Sequence, residues 1–401
     1  MRLDPLQYLA AELQGLRDQG LYRRLRILDD EQKAATSVDH RAVVNLSSNN
    51  YLGLTTHPVL RERALDAIRR FGVGSGSVRT IAGTMALHMK LASRLAAFKG
   101  TEAAVVFQSG FTANAGTVSS ILGRDDVIVS DELNHASIID GARLSRAAIK
   151  VFPHRDADAA RAIVAALPAT QRKLVITDGV FSMDGDLGAL PALCDVADEF
   201  GCIMMVDDAH ASGVFGRNGR GTVDHFGLHG RVDVQVGTLS KAMGVLGGYV
   251  AGARALVEFL HHRASPFLFS TSHPPAVAAA CIGAIDVLER EPGLIDRLWD
   301  NTRFFKSGLA ALGFDTGRSE SPITPVIVGD GARAMALSDR LFEKGVFAQG
   351  IGFPTVPQGK ARVRTIVTAT HTRDELQFAL DAFKSAGAEL GVVGTGEPPR
   401  R

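Results

Sequence analysis

Val232-Asp233-Val234-Gln235-Val236-Gly237-Thr238-Leu239-Ser240-Lys241-Ala242-Met243-Gly244 opens with five residues that alternate apolar and polar and are rich in valine, the pattern of a strand. The strand runs into Thr238, Ser240 and Lys241, and glycines recur just beyond at Gly244, Gly247 and Gly248. A lysine placed where a buried strand opens into a glycine-rich turn loses hydration, and desolvation lowers the pKa of its ammonium. Such an amine is a candidate nucleophile toward a carbonyl, with a Schiff base as the product. A solvated loop lysine is the competing reading.

Upstream, Cys202-Ile203-Met204-Met205-Val206 is wholly apolar, as expected of a strand buried on both faces, and it ends in Asp207-Asp208-Ala209-His210. Ligands of open α/β sheets collect at the carboxyl ends of strands. A carboxylate there suits a pyridinium nitrogen, and pyridoxal phosphate (PLP) acts as an electron sink only while its ring nitrogen stays protonated. A helix cap with a surface pair, or a metal site, would read the same way, but no other His/Cys/Asp cluster has ligand spacing.

The chain has 401 residues, enough for two or three domains, with 46% hydrophobic and 22% charged residues and a net charge of +1. That balance implies neither nucleic acid nor an anionic membrane as partner. Cys194, Cys202 and Cys281 form no C-x-x-C pair, which points to a reducing cytosol. No apolar run is long enough to span a membrane, and the N-terminus does not read as a signal peptide.

Residues 4–18 are expected to form an amphipathic helix with Leu6, Leu9, Leu13 and Leu16 on one stripe. The basic cluster Arg23-Arg24-Leu25-Arg26 reads as a solvated face or as a lip over an anionic substrate. Gly72 to Arg79 is glycine-rich but lacks the Lys of a P-loop and the third Gly of a dinucleotide fingerprint. Ala103 to Phe107 is a strand, and Gln108-Ser109-Gly110-Phe111-Thr112-Ala113-Asn114 turns into a helix whose free N–H groups suit a phosphate, or simply form an ordinary cap. Strands at 126–130 and 174–178 lead to His135, which reads either as a ring to stack on a flat cofactor or as an ordinary satisfied polar residue at a strand end, and to a turn in which Ser182 is expected to point at the site. Asp184-Gly185-Asp186 reads as a turn rather than calcium ligands, because the rest of an EF-hand loop is missing. Alternating strands and helices from about 100 to 250 predict a parallel sheet with helices on both faces. After Pro274-Pro275 a smaller α/β part is expected: a helix at 294–312, a strand at 323–328, a helix at 332–344, a strand at 361–368, and a last helix opened by the capping box Thr372-Arg373-Asp374-Glu375. Gly394 to Arg401 reads as a frayed tail. Period two puts Arg362 and Arg364 on one face, where a guanidinium fork suits a carboxylate; a surface ladder is the alternative.

In order along the chain, Ser48-Asn49-Asn50-Tyr51-Leu52-Gly53-Leu54, Gly74-Ser75-Gly76, Ser109-Gly110-Phe111, Asn134-His135-Ala136-Ser137, Asp178-Gly179-Val180-Phe181-Ser182-Met183-Asp184-Gly185, Val206-Asp207-Asp208-Ala209-His210, Thr238-Leu239-Ser240-Lys241 and Ala361-Arg362-Val363-Arg364 resemble the α-oxoamine synthases, PLP-dependent enzymes of fold type I. The resemblance covers about residues 5 to 395. It implies an α/β fold with a large, mainly parallel sheet domain and a smaller C-terminal α/β domain, divided as 1–55, 56–290 and 291–401. It implies PLP as cofactor, an amino acid and an acyl-CoA as substrates, and a cytoplasmic homodimer with shared active sites. Lys241 would carry the cofactor and then act as acid and base at Cα. Asp207 would pair with the ring nitrogen, His210 and Ser182 would reach the ring oxygen, and His135 would stack on the ring. Ser109, Gly110, Phe111 and Thr238 would hold the phosphate, and Thr271 the phosphate in the other subunit. Asn49 and Arg364 would orient the amino-acid carboxylate, with Thr355 and His135 near the substrate. Within the family, Ser130 to Gly141 is most similar to the branch that condenses glycine with acetyl-CoA. The alternative is decarboxylative condensation of L-alanine with pimeloyl-CoA, or both activities in one enzyme.

Overall fold

The computed structural model describes residues 4–18, 22 and 24–393. Arg23 of the basic cluster and the tail Gly394 to Arg401 lie outside the described residues. Two short strands, β1 (Ala35–Val38) and β2 (Arg41–Asn45), precede the main sheet. That sheet contains β3 (Ala103–Phe107), β4 (Val127–Asp131), β5 (Ala148–Phe152), β6 (Lys173–Asp178), β7 (Ile203–Asp207), β8 (Val234–Thr238) and β9 (Gly248–Gly252). Its spatial order is β3-β9-β8-β7-β6-β4-β5.

From β5 to β8 every neighbouring pair is parallel, as the alternating pattern predicts. Successive residues of the central strands serve opposite faces. Leu174, Ile176 and Met205 enter one apolar cluster while Val175, Met204 and Val206 enter another, so these strands are apolar throughout. The sequence pattern does not reveal β9, which runs antiparallel between β8 and β3. The glycines after Lys241 are its approach: the short connection 239–247 has no room for a crossover helix, so the chain must return antiparallel.

Four helices precede or follow the first strands: α1 (Tyr8–Asp18), α2 (Pro58–Phe71), α3 (Ala86–Lys99) and α4 (Gly110–Ile121). A fifth, α5 (Ala136–Ser145), follows β4. Helix α1 starts at Tyr8, later than expected, so it carries Leu9, Leu13 and Leu16 of the stripe but not Leu6, and none of its residues is buried. The last part of the chain supplies β10 (Ile323–Gly329), β11 (Val346–Phe347), β12 (Gln349–Ile351) and β13 (Ala361–Ile366). Strand β13 lies between β10 and β12, and β11 pairs with β2, so Val44 and Leu46 join the core of the C-terminal helices. Thr372 caps the last helix as expected, accepting from Glu375 N at 3.2 Å. Arg26 is not a solvated residue: it pairs with Asp39 and Asp339, each at 3.1 Å, and lies over the Phe342 ring.

Candidate active site

Strands β3, β4, β6, β7 and β8 point the same way, so the segments leaving their carboxyl ends converge on one edge of the sheet. These segments carry Ser109 to Phe111, His135, Ser182, Asp207 with His210, and Lys241. Register tightens the cluster, because Asp178 stands directly beside Asp207 and Thr238 beside Gly248.

Lys241 Nζ makes no hydrogen bond or ion pair with any described residue. Burial lowers its pKa to about 8, against the opposing pull of Asp207 and Asp178. Asp207 accepts from Asn114 Nδ2 at 2.6 Å and from Ala209 N at 2.8 Å. Its neighbour Asp208 faces away and accepts from Lys99 Nζ at 2.9 Å in a fully buried pair. Burial, and then repulsion from Asp207, pushes the Asp178 carboxyl well above its usual range, and Asp178 Oδ2 accepts from His135 N at 3.1 Å.

His210 Nδ1 lies 2.7 Å from the Tyr51 hydroxyl, and both groups are buried. Burial raises the Tyr51 pKa and pushes that of His210 well down, so both are neutral. With the imidazole proton on Nε2 the phenol donates to Nδ1; with it on Nδ1 the imidazole donates to the phenol oxygen. The exposed His135 ring rests on Ser137 Oγ through Nδ1 at 2.7 Å.

At the helical end of the site, Ser109 Oγ accepts from Thr112 N at 3.1 Å and caps α4. The N–H groups of Gly110 and Phe111, in the first turn, have no intrahelical acceptor. A Cβ on Gly110 would stand 3.3 Å from Thr238 Cβ, so glycine lets the helix start close against the end of β8. Thr238 Oγ1 donates to Gly247 O at 2.9 Å and lies 2.7 Å from Ser240 Oγ. Gln108 Nε2 donates to Thr271 O at 2.8 Å, which brings the exposed Thr271 beside this end of the site.

The two arginines of β13 share a face but not a task. Arg362 Nη1 binds Met183 O at 2.9 Å and Asp184 Oδ1 at 2.6 Å, holding the turn that carries Ser182. Arg364 donates to Asn49 Oδ1 at 2.6 Å. Ser182 is half-buried on its turn, whereas Thr355 lies on the exposed turn between β12 and β13.

The family described as aminotransferase class I and II matches residues 41–383. The chain is 61% identical to the 8-amino-7-oxononanoate synthase of Symbiobacterium thermophilum, over 96% of this chain and 99% of that one. It is 53% identical to 8-amino-7-oxononanoate synthase 1 of Bacillus subtilis, again over 96% and 99%. Among solved structures, the serine palmitoyltransferase from S. paucimobilis with a bound PLP–myriocin aldimine matches with a TM-score of 0.92 at 32% identity, covering 98% of this chain and 100% of that one. An 8-amino-7-oxononanoate synthase from Francisella tularensis matches with a TM-score of 0.73 at 26% identity, covering 86% and 98%.

The chain belongs to the α-oxoamine synthases. It is a PLP-dependent acyltransferase of fold type I. The residues present fit that cofactor. An amine without a partner among the described residues, open first-turn amides, a carboxylate at a strand end and a solvent-facing imidazole lie along one sheet edge.

Four neighbours of the expected residues were not singled out by the sequence. Tyr51, Ser137 and Asp178 lie inside quoted motifs, but nothing in their spacing distinguishes them from turn residues. Asn114 sits one helical turn past Gly110, where a polar residue looks like part of the cap.

Proposed function

We propose that this enzyme condenses L-alanine with pimeloyl-CoA, with loss of CO2, to give 8-amino-7-oxononanoate and free CoA. The observation that carries the reading is near-full-length identity of 51–61% to relatives bearing that name. Those names move the expectation away from glycine and acetyl-CoA, which remains the second reading on the strength of Ser130 to Gly141.

In this scheme Arg364, tethered by Asn49, takes the amino-acid carboxylate as a fork, with Thr355 nearby. Lys241, its pKa brought down to about 8 by burial, carries the cofactor and then moves a proton at the amino-acid Cα. Asp207 keeps the ring nitrogen protonated, and His210 donates from Nε2 toward the ring oxygen, with Ser182 beside it. His135 covers the ring face. Ser109, Gly110, Phe111 and Thr238 hold the phosphate at the positive end of α4. Bound PLP supplies the electron sink.

A cytoplasmic homodimer with shared sites belongs to the same proposal. It is supported by the uncovered stripe of α1 and by Ile81 and Phe269, 82% and 79% exposed, the latter beside Thr271. No helix among the described residues is long and apolar enough to cross a membrane.

Steady-state comparison of the two substrate pairs tests the activity. The alanine and pimeloyl-CoA pair is expected to lead by more than about tenfold in kcat/KM, roughly 1.4 kcal/mol of transition-state discrimination. A tenfold lead for glycine and acetyl-CoA would overturn the proposal.

A further inference from the structure

Asp207 and His135 leave different strands, β7 and β4, yet one buried side chain joins them. Asn114, fully buried on α4, donates through Nδ2 to Asp207 Oδ2 at 2.6 Å and to Ser137 Oγ at 2.9 Å. Ser137 Oγ lies 2.7 Å from His135 Nδ1, and Ser137 N donates to the same nitrogen at 3.3 Å.

The direction of every bond in this chain is determined. Turning the Asn114 amide around would set its carbonyl oxygen against a carboxylate oxygen, two acceptors at hydrogen-bond distance. The amide keeps its orientation even though Asn114 Oδ1 is then buried with no partner among the described residues. Both Nδ2 protons are used, one on each neighbour. Ser137 Oγ is thus the acceptor from Asn114, and its own proton points to His135 Nδ1. That nitrogen receives two donors and carries no proton, so the ring is neutral with its single N–H on Nε2. The protein atoms packed against one side of the ring lower its pKa, against the pull of Asp207, although its other side meets solvent. At the other end the Asn114 amide donates to Asp207 and not to the adjacent Asp178, whose carboxyl burial and the neighbouring Asp207 push well above its usual range.

We propose that Asn114 is a positioning residue that couples Asp207 to His135, through Ser137, and so sets both the ionised carboxylate at the ring nitrogen and the Nε2–H tautomer over the ring face. The coupling rests on the roles given above to Asp207 and His135. A polar residue that merely satisfies the core would leave both ends indifferent to its loss.

The test uses nitrogen-15 NMR on the full-length protein. Imidazole-labelled protein without cofactor reports the His135 tautomer, with His135→Asn assigning the signal. Protein loaded with ring-labelled PLP reports protonation of the ring nitrogen. In Ser137→Ala the His135 signal is expected to move toward a mixture of tautomers while the ring-nitrogen signal stays. In Asn114→Ala both are expected to move, and the PLP dissociation constant to rise about 10- to 100-fold, the loss of one hydrogen bond to a charged group. Thermal unfolding confirms that each variant is folded; should Asn114→Ala not fold, Asn114→Ser and Ser137→Ala carry the test. Wild-type signals at both nitrogens in a folded Asn114 variant, or an unmoved His135 signal in Ser137→Ala, would overturn the coupling. An unprotonated ring nitrogen in the wild type would instead sink the role of Asp207, while the His135 measurement without cofactor still decides the relay.

Discussion

Arg364 donates to Asn49 Oδ1 and meets no carboxylate among the described residues, although it is buried deeply enough that its pKa falls. Two residues away, Arg362 is neutralised by Asp184. A desolvated guanidinium oriented by a neutral amide leaves its charge for an incoming anion. Arg364→Met should therefore lower kcat/KM for the amino acid about a hundredfold or more, ~3 kcal/mol, and Arg364→Lys should recover only part of this because the fork is lost. Asn49→Ala should raise KM without abolishing turnover. Unchanged amino-acid KM in Arg364→Met would remove the residue from the substrate site.

Lys241 gives a second expectation, in two states of the protein. With PLP, borohydride should fix the cofactor to the wild-type chain so that it survives denaturation, and Lys241→Ala should retain none. Without PLP, the amine should be acylated with a midpoint near pH 8, the value to which burial brings it, instead of the ordinary lysine range near 10.5. A midpoint near 10 by mass-spectrometric footprinting would mean a solvated lysine.

Tyr51 and His210 form the third pair. If the phenol fixes the His210 tautomer, Tyr51→Phe should leave the fold intact and let the imidazole proton move to Nδ1, away from the ring oxygen. The absorbance band of bound cofactor should then titrate at a shifted pH, and kcat should fall about tenfold, less than the roughly hundredfold or more that a positioned proton donor contributes, because His210 itself stays in place. A pH profile identical to wild type would show that Tyr51 serves packing alone.

These cases mark where the chain could be read without its structure. The strand tips were legible because buried parallel strands are apolar throughout and end abruptly in polar residues, as Val206-Asp207 and Val236 to Lys241 do. Strand β9 was hidden because Gly248-Tyr249-Val250-Ala251-Gly252 follows a glycine-rich turn and has glycine at both ends. The arginines of β13 could be put on one face by period two. Their different partners depend on residues 178 and 315 positions distant along the chain, and no local pattern carries that information. Asn114 illustrates the same limit, since its partner Asp207 is 93 residues away.

Helix α1 supplies an expectation about assembly. An amphipathic helix with every residue outside the core of its own chain has an apolar face that another surface must cover. Light scattering should give twice the chain mass, and Leu9→Asp combined with Leu13→Asp should shift the population toward monomer and weaken PLP retention, if Thr271 serves the partner's site. A monomeric, fully active wild-type enzyme would contradict shared sites.

His154 yields a prediction about stability rather than chemistry. Its Nδ1 lies 3.0 Å from Asp131 and its Nε2 2.9 Å from Asp186, with the ring edge-on to Phe181 and Arg155 reaching toward Asp186 at 3.5 Å. Between two carboxylates both ring nitrogens must donate, so the imidazolium is favoured, and the pKa rises to about 9 despite the opposing cost of burial. The folded value lies above the unfolded one of 6.5. The stabilisation is therefore complete below about pH 6.5, declines as pH rises, and is gone once pH passes through about 9. It amounts to about 2 kcal/mol, less than the full shift implies because part of the ring meets solvent. His154→Gln should lower Tm by several degrees at pH 6, with the gap to wild type closing toward pH 10. Because Asp186 belongs to the turn that carries Ser182, the variant should also bind PLP less tightly at pH 6 than at pH 9, relative to wild type. A Tm difference that does not vary with pH would show that His154 contributes packing and not charge.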